Sequence, residues 1–240
     1  MIEIRDIHKT FDGQSVLHSI SASFAAGQTN LVIGRSGSGK TVLLKCIVGL
    51  LRPDAGEVLY DGRNLLSLRQ KDVLALRREM GMLFQSSALF DRMDVLENVM
   101  FPLSMFSSGT LRERRERASF CLERVGMLEA AHKSPSELSG GMQKRVAIAR
   151  AIALNPRYLF CDEPNSGLDP VSSHLIDALI HSITHEFGIT TVVNTHDMNS
   201  VHTIGESILF LHEGEACWRG SSATLDEGTA ACEPLANFLV

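Results

Sequence analysis

Eight consecutive residues near the N terminus have the types and spacing of a phosphate-binding loop. They match the pattern G-x-x-x-x-G-K-[ST] and are Gly34, Arg35, Ser36, Gly37, Ser38, Gly39, Lys40 and Thr41. The glycines allow backbone N–H groups to turn inward around phosphate oxygens. Lys40 can reach the β- and γ-phosphates, and Thr41 offers a hydroxyl to Mg²⁺. The pattern predicts a nucleoside triphosphate site; the alternative is a Gly/Ser turn that matches by chance.

Two carboxylates follow a short apolar run in residues 157–164, RYLFCDEP. A buried strand that ends in a carboxylate delivers it to the edge where parallel sheets bind ligands. We expect Asp162 to hold Mg²⁺, directly or through water. We expect Glu163 to polarise the attacking water as a general base. The alternative is a strand that ends in an acidic turn.

A second anion-binding pattern lies a hundred residues later. Ser139, Gly140 and Gly141 precede a predicted helix that Asn155-Pro156 ends. A serine and two glycines at a helix N terminus can bind an anion. One chain does not need two such sites for one triphosphate, but two chains arranged head to tail would use both. The alternative is an ordinary serine cap.

The apolar patterns predict an α/β protein that positions these residues. Expected strands lie within 2–33 and near 57–60, 80–84, 158–161 and 190–194. Expected helices cover 41–50, 171–187 and, with interruptions, 94–150. Alternating strands and helices favour a parallel sheet. The predicted organisation is therefore an α/β core with a helical insertion at about 86–155.

Composition limits the classes of partner. The chain has 240 residues, is 44% hydrophobic and carries a formal net charge of −5. It can bury a substantial core, and no nucleic-acid partner is expected because a global basic surface is missing. The five cysteines form no CxxC pair and are expected to be reduced. The charged opening and the short apolar runs predict a cytoplasmic chain that reaches a membrane only through a partner.

Four ordered motifs resemble those of ATP-binding-cassette (ABC) ATPases. They are GRSGSGKT, LSGGMQKR, CDEPNSGLDP and NTHD. The resemblance covers residues 1–220, taken as the ATPase domain, and leaves 221–240 as a short C-terminal tail. It implies a P-loop NTPase core with a parallel sheet, an N-terminal antiparallel β subdomain and an inserted helical subdomain. It also implies ATP and Mg²⁺ as cofactors and an ATP-dependent head-to-tail homodimer.

The same resemblance implies roles for five further residues. Phe11 matches the aromatic residue that stacks on adenine, and Val16 matches a small apolar residue near the ribose. Gln85 matches the glutamine that contacts Mg²⁺ and the attacking water. Asp169 matches an aspartate that crosses the dimer interface, and His196 matches the histidine that contacts the γ-phosphate. Without the resemblance, these would be interpreted as core, helix-cap or strand-end residues.

Three classes of ABC ATPase share these motifs: DNA-maintenance ATPases, translation factors and transporter motors. A DNA-maintenance ATPase would carry a long coiled coil between the phosphate loop and the second anion site. Only about a hundred residues separate Lys40 from Ser139, and they show no sustained heptads. A translation factor would carry two cassettes, and this chain has one. The pattern therefore favours the motor subunit of a transporter.

The segment that follows Gln85 is expected to receive a helix of a membrane permease. Its apolar side chains are Leu89, Phe90, Met93, Val95, Leu96, Val99, Phe101 and Phe106. The run ALFDRMDVLENVMFPL resembles the ATPases of lipid transporters of the mammalian-cell-entry type, similar to the maintenance-of-lipid-asymmetry system. This finer resemblance implies lipid transport between membranes and a subunit bound to the inner membrane through its permease. The alternative is the ATPase of an amino-acid or ion importer.

Overall fold

The alternating apolar residues at the N terminus form an antiparallel sheet, as the resemblance implies. The computed structural model of the chain describes residues 1–239. Strands β1 (Ile2–Phe11) and β2 (Gln14–Phe24) pair antiparallel through the turn at Asp12-Gly13. Strands β4 (Ala55–Tyr60) and β5 (Arg63–Asn64) extend this sheet in the order β2-β1-β4-β5.

A second sheet of six strands forms the centre of the molecule. Its strands are β3 (Thr29–Ile33), β6 (Met80–Leu83), β7 (Tyr158–Asp162), β8 (Thr190–Thr195), β9 (Ser207–His212) and β10 (Glu215–Gly220). Their order is β10-β9-β3-β8-β7-β6. Strands β3 and β6 to β9 pair in parallel. A parallel sheet was predicted, but β9 was not among the expected strands. Strand β10 pairs antiparallel with β9, so the sheet is mixed at that edge.

Nine helices cover the sheets within residues 1–239. They are α1 (Lys40–Ile47), α2 (Gln70–Arg78), α3 (Val95–Phe106), α4 (Leu111–Arg124), α5 (Gly140–Ile152), α6 (Pro170–Phe187), α7 (Met198–Ile204), α8 (Leu225–Ala231) and α9 (Glu233–Leu239). Helices α3 to α5 lie between β6 and β7, where the sequence predicts the helical insertion. Asp94 and Thr110 begin α3 and α4 with capping boxes that Glu97 and Glu113 complete. None of the described helices is both long and apolar enough to span a bilayer.

Alternate residues of the central strands serve two separate cores. Leu31 and Ile33 of β3 belong to the core beneath α3 to α6. Val32, between them, belongs to the core shared with α1 and the antiparallel sheet. Successive side chains of a strand point to opposite faces, so a strand that is buried on both faces becomes apolar throughout. Cys161 of β7 is fully buried in the first core, and burial raises the pKa of its thiol.

The C-terminal segment folds back onto the sheet. Leu235 of α9 is fully buried, and the rings of Phe210 and Phe238 lie 5.4 Å apart between centroids. The guanidinium of Arg35, in the predicted phosphate loop, donates to the backbone carbonyl of Asn237 over 2.7 Å. Residues 221–239 are therefore packed against the 1–220 core and contact the phosphate loop through Asn237.

Candidate functional site

The predicted phosphate loop and the predicted carboxylates meet at one edge of the central sheet. Strands β3, β7 and β8 are parallel neighbours, so their carboxyl ends lie together. The loop follows β3, Asp162 ends β7, and His196 directly follows β8. A cavity of about 350 Å³ opens at this edge. It is lined by Val16, Ser36, Gly37, Gly39, Lys40, Thr41, Val42, Gln85, Glu163 and His196.

Two glycines of the loop are required by close packing and by backbone angle. Gly34 has φ 153°, and a Cβ there would lie 2.3 Å from the backbone oxygen of Leu211. Gly39 has φ 101°, and a Cβ there would lie 2.9 Å from a methyl group of Leu17. Other residues would be strained at both angles and would clash with these neighbours. The Gly-rich pattern is therefore needed for the loop to curve over the start of α1.

Lys40 is held inside the loop rather than in solvent. Its side chain is 6% exposed, and its ammonium group donates to the carbonyls of Gly34 over 2.7 Å and Arg35 over 3.1 Å. Oε1 of Glu163 lies 3.7 Å away. Burial lowers the pKa of Lys40, and the carboxylates of Glu163 and Asp162 partly oppose that shift. The ammonium group is therefore positioned at the cavity before any phosphate arrives.

Oxygen ligands that suit Mg²⁺ lie beside the loop. The hydroxyl of Thr41 donates to Oδ1 of Asp162 over 3.1 Å, and the side-chain amide of Asn194 donates to the same oxygen over 3.1 Å. Hard cations prefer hydroxyl and carboxylate oxygens, so Thr41 and Asp162 fit this ion. The hydroxyl of Ser38 is buried and, within residues 1–239, has no hydrogen-bond partner. A buried hydroxyl without a partner fits a loop whose ligand supplies one.

The backbone conformation of Glu163 and two hydrogen bonds fix its position at the cavity. Its backbone has φ 49°, an unusual conformation for a residue with a side chain. Its N–H donates to the carbonyl of Asn194 over 3.0 Å, and Nδ1 of His196 donates to its Oε2 over 2.8 Å. The carboxylate is 13% exposed. A carboxylate oriented in this way can accept a proton from a water molecule in the cavity.

Gln85 lines the cavity and is connected to the helical insertion. Its side-chain amide donates to the hydroxyl of Ser166 over 3.1 Å. Its backbone carbonyl accepts from the ammonium group of Lys144 on α5. Lys144 is 4% exposed, and burial lowers its pKa. Sequence reasoning missed Lys144; its position among the apolar residues of α5 was the available signal.

Arg150 lies six residues after Lys144 on α5 and contacts the same segment. Sequence reasoning missed this residue as well. Its two terminal nitrogens donate to the carbonyls of Ala88 over 2.6 Å and Ser87 over 2.7 Å. Both of those residues have positive φ, at 61° for Ser87 and 48° for Ala88. Two cations of α5 therefore hold the backbone of residues 85–88 in a conformation that the chain would not favour alone.

Several predicted site residues do not line the cavity. Gly34, Arg35, Ser38 and Asp162 lie in the loop or beside it, whereas Ser139, Gly140, Gly141 and Asp169 belong to other segments. Ser139 caps α5 by accepting from the N–H of Met142 over 3.3 Å, and Ser139 and Gly140 are exposed. A Cβ on Gly141 would lie 3.5 Å from the Ser172 side chain at the start of α6. Asp169 caps that helix: Oδ1 accepts from the N–H groups of Val171 and Ser172, and Oδ2 accepts from the Ser172 hydroxyl over 2.6 Å. The two segments therefore lie against each other and form one surface.

Phe11 also lies outside the set that lines the cavity. Its ring is 40% exposed, and the ammonium group of Lys9 lies 5.2 Å from the ring centroid. Val16, which is predicted to lie near the ribose, does line the cavity. The stacking of Phe11 on adenine therefore stays a prediction.

Known proteins are similar to this chain in both sequence and fold. The family model described as ABC transporter matches residues 17–166. The methionine import ATP-binding protein MetN of Clostridium acetobutylicum is 40% identical over 89% of this chain and 67% of its own length. The phosphonates import ATP-binding protein PhnC of Wolinella succinogenes is 39% identical over 95% of this chain and 86% of its own length.

Solved structures of an ABC transporter cassette have the same fold as this chain. The dimeric structure of MJ0796, a bacterial ABC transporter cassette, has a TM-score of 0.84 and 35% identity, and covers 92% of this chain and 99% of MJ0796. A second structure of MJ0796 is a post-hydrolysis state bound to ADP and Pi, with a TM-score of 0.84 and 34% identity over 92% of this chain and 99% of MJ0796. The predicted P-loop fold is confirmed, and the chain belongs to the ABC transporter family of ATPases.

Proposed function

We propose that this chain hydrolyses ATP in the cavity at the carboxyl edge of β3, β7 and β8 and drives a transporter. The observation that carries the proposal is the convergence of Lys40, Thr41, Glu163 and His196 on that cavity, with Asp162 hydrogen-bonded to Thr41. The test is phosphate release by the purified chain with ATP and Mg²⁺. We expect EDTA to abolish that release; release that persists in EDTA would contradict the role of Thr41 and Asp162.

The residues of the cavity divide the work of hydrolysis. Lys40 binds phosphate oxygens, exchanging the carbonyls that now accept from its ammonium group. Mg²⁺, when bound by Thr41 and Asp162, offsets phosphate charge. Glu163 accepts the proton of the attacking water, and His196 orients the Glu163 carboxylate. Gln85 lines the same cavity, and its backbone carbonyl accepts a hydrogen bond from Lys144 of α5. It therefore connects the nucleotide to the helical insertion.

The exposed segment 139–141 supports a head-to-tail dimer. It offers the N terminus of α5 to solvent, beside the Asp169 cap of α6, while its own chain's cavity is lined by other residues. The N-terminal N–H groups of a helix attract phosphate. In the dimer that we propose, this surface of one chain closes the nucleotide cavity of its partner. MJ0796, which has the same fold, forms a dimer in its solved structure, and this supports dimerisation.

An apolar groove supports docking of a permease helix. It has a volume of about 490 Å³ and is lined by Met80, Gly81, Met82, Phe84, Ala88, Phe90, Phe101, Pro102, Phe106, Arg150, Ala151 and Leu154. Phe90 and Phe101 form an aromatic pair with centroids 4.6 Å apart. Of the eight apolar residues predicted for docking, Val95, Leu96 and Val99 are instead buried in the core. The proposed docking surface is therefore this groove rather than the whole segment 89–106.

Asn98 fixes the backbone beside Phe90, a residue that lines the groove. Asn98 is fully buried, and its side chain accepts from the N–H of Phe90 over 2.8 Å. Its amide group donates to the carbonyls of Phe90, Met93 and Asp94. Arg150 links the groove to residues 87 and 88, and Lys144 links the same helix to Gln85. Closure around ATP can thus move the groove as one body with α5.

We predict that Phe106→Glu will abolish co-purification with the permease. The Phe106 side chain is 42% exposed and lines the groove, so a carboxylate there would have to be desolvated under the docked helix. Met105→Glu is the matched control, because Met105 is adjacent, 61% exposed and outside the groove. A folded Phe106→Glu chain that still co-purifies as fully as the Met105→Glu chain would reject the docking surface.

For the transported molecule, we infer import of a small polar solute, with the chain on the cytoplasmic side of the membrane and held there by its permease. The two relatives described above are named for import of methionine and of phosphonates. Neither name refers to lipid, so the lipid expectation gains no support from them, and the importer alternative does.

Reconstitution separates the two substrates. The chain and the permease that co-purifies with it would be reconstituted in detergent micelles free of phospholipid, and ATP turnover would be measured with methionine, a phosphonate or added phospholipid. We expect a small solute to stimulate turnover. Stimulation by phospholipid alone would restore the lipid assignment and leave the hydrolysis proposal intact.

A further inference from the structure

Three metal-ligating side chains meet at the sheet edge opposite the nucleotide cavity. His181 and His185 lie on α6, four residues apart, and Glu206 lies between α7 and β9. Residues at this spacing share one face of a helix. One ligand atom from each of the three lies within 4.8 Å of the other two. None of them lines the nucleotide cavity.

Glu206 is already oriented toward the two histidines. Its Oε2 accepts from the N–H of Thr29, the first residue of β3, over 2.8 Å. Its Oε1 lies 3.1 Å from Nε2 of His185. Ligand atoms about 2.0–2.1 Å from a tetrahedral Zn²⁺ are about 3.3 Å apart. The His185–Glu206 pair therefore has the separation that one shared ion requires.

A simpler explanation accounts for only one of the histidines. His185 lies in the last turn of α6, and its Nε2 lies within hydrogen-bond distance, 3.1 Å, of Oε1 of Glu206. His181 has no hydrogen bond to another side chain or to the backbone within residues 1–239; its ring stacks on that of His185, with centroids 4.2 Å apart. An ion shared by both rings explains the pair and the carboxylate together.

We propose that His181, His185 and Glu206 bind one divalent ion of the Zn²⁺ class, with water at the fourth position. Two imidazoles and one carboxylate suit Zn²⁺, whereas Mg²⁺ and Ca²⁺ prefer ligand sets made of oxygen. The ion ties the end of α6 to the segment before β9 and, through Glu206, to the start of β3. An ion that binds only the folded chain raises its melting temperature.

The test is a titration of the EDTA-treated full chain with ZnCl₂, followed by calorimetry and by thermal melting. We expect one ion per chain and a higher melting temperature, with no shift from MgCl₂. His181→Ala and His185→Ala should each weaken Zn²⁺ binding more than about tenfold, the lower limit seen when even an outer-shell partner is lost. His174→Ala is the matched control, because His174 is exposed on the same helix outside the cluster.

Two further variants distinguish the competing outcomes. Glu206→Gln keeps an acceptor for the Thr29 N–H, so we expect an unchanged melting temperature in EDTA and weaker Zn²⁺ binding. His196→Ala removes the imidazole beside Glu163, where Zn²⁺ could bind at the nucleotide cavity instead. Zn²⁺ binding that disappears in His196→Ala and persists in His181→Ala and His185→Ala would overturn the proposal. A wild-type chain that binds no Zn²⁺ would overturn it as well.

Discussion

Glu163→Gln will slow ATP turnover by about 10²–10⁴-fold, the contribution of a general base, and will leave ATP binding intact. The amide keeps the shape of the carboxylate but cannot accept a proton from water at neutral pH. It also retains hydrogen-bonding capacity toward His196, whose Nδ1 lies 2.8 Å from the carboxylate in the native chain. The loss should therefore fall on kcat, with little change in the ATP dissociation constant.

The measurement is single-turnover phosphate release, together with nucleotide binding by fluorescence. Glu213→Gln is the matched control, since the Glu213 side chain is 86% exposed and lies outside the cavity. Wild-type turnover in Glu163→Gln would remove Glu163 from the role of base. The neighbouring candidate would then be Asp162, which ends β7 at the same edge.

Lys40→Met will weaken ATP binding by about 100-fold or more. The ammonium group is buried in the loop and has carbonyl oxygens as its hydrogen-bond partners, so no water competes strongly for it. Two charge-assisted hydrogen bonds to phosphate, at about 1.5–3 kcal/mol each, account for this loss. Methionine keeps the aliphatic part of the side chain and removes only the charge.

Equilibrium binding of a fluorescent ATP analogue measures this effect. Lys45→Met provides the control, because Lys45 is on the same helix, α1, and is exposed. Thermal melts of both variants without nucleotide show whether each chain remains folded at the temperature of the binding measurement. If Lys40→Met binds ATP as tightly as Lys45→Met, the phosphate loop does not hold the triphosphate through this residue.

The nucleotide site could be predicted from sequence because its residues are close together in the chain or end a strand. The loop pattern at 34–41 fixes its own geometry, since Gly34 and Gly39 are required by packing. Asp162 ends the buried strand β7 and His196 follows the buried strand β8, and parallel pairing then brings them to one edge. The helical insertion was predictable for the same reason: its caps and breaks are local signals.

The connections between segments could not be predicted. Lys144 and Arg150 contact residues 85–88 about sixty positions away, and only the packing of α5 against β6 makes those contacts possible. The docking segment shows the same limit. Its hydrophobicity predicts burial, but the helical phase of α3 decides that Val99 enters the core while Phe106 lines the groove.

The edge strand β10 was also missed. It pairs antiparallel because a short turn at Glu213-Gly214 returns the chain, whereas a parallel connection would need a longer crossover. Its sequence, EACWRG, does not alternate strongly and gave no strand signal. Tertiary packing against α8 and β9 supplies the stability that the local pattern lacks.

In the proposed dimer, two chains share each ATP: one chain provides the loop at 34–41 and the other provides the segment at 139–141. Light scattering of the Glu163→Gln chain, with and without ATP, tests it most directly, because slow turnover preserves the ATP-bound state. We predict that saturating ATP doubles the mass, and that adding Ser139→Arg to this chain keeps ATP binding but prevents the doubling. A Glu163→Gln chain that binds ATP and remains monomeric at high protein concentration would contradict the account.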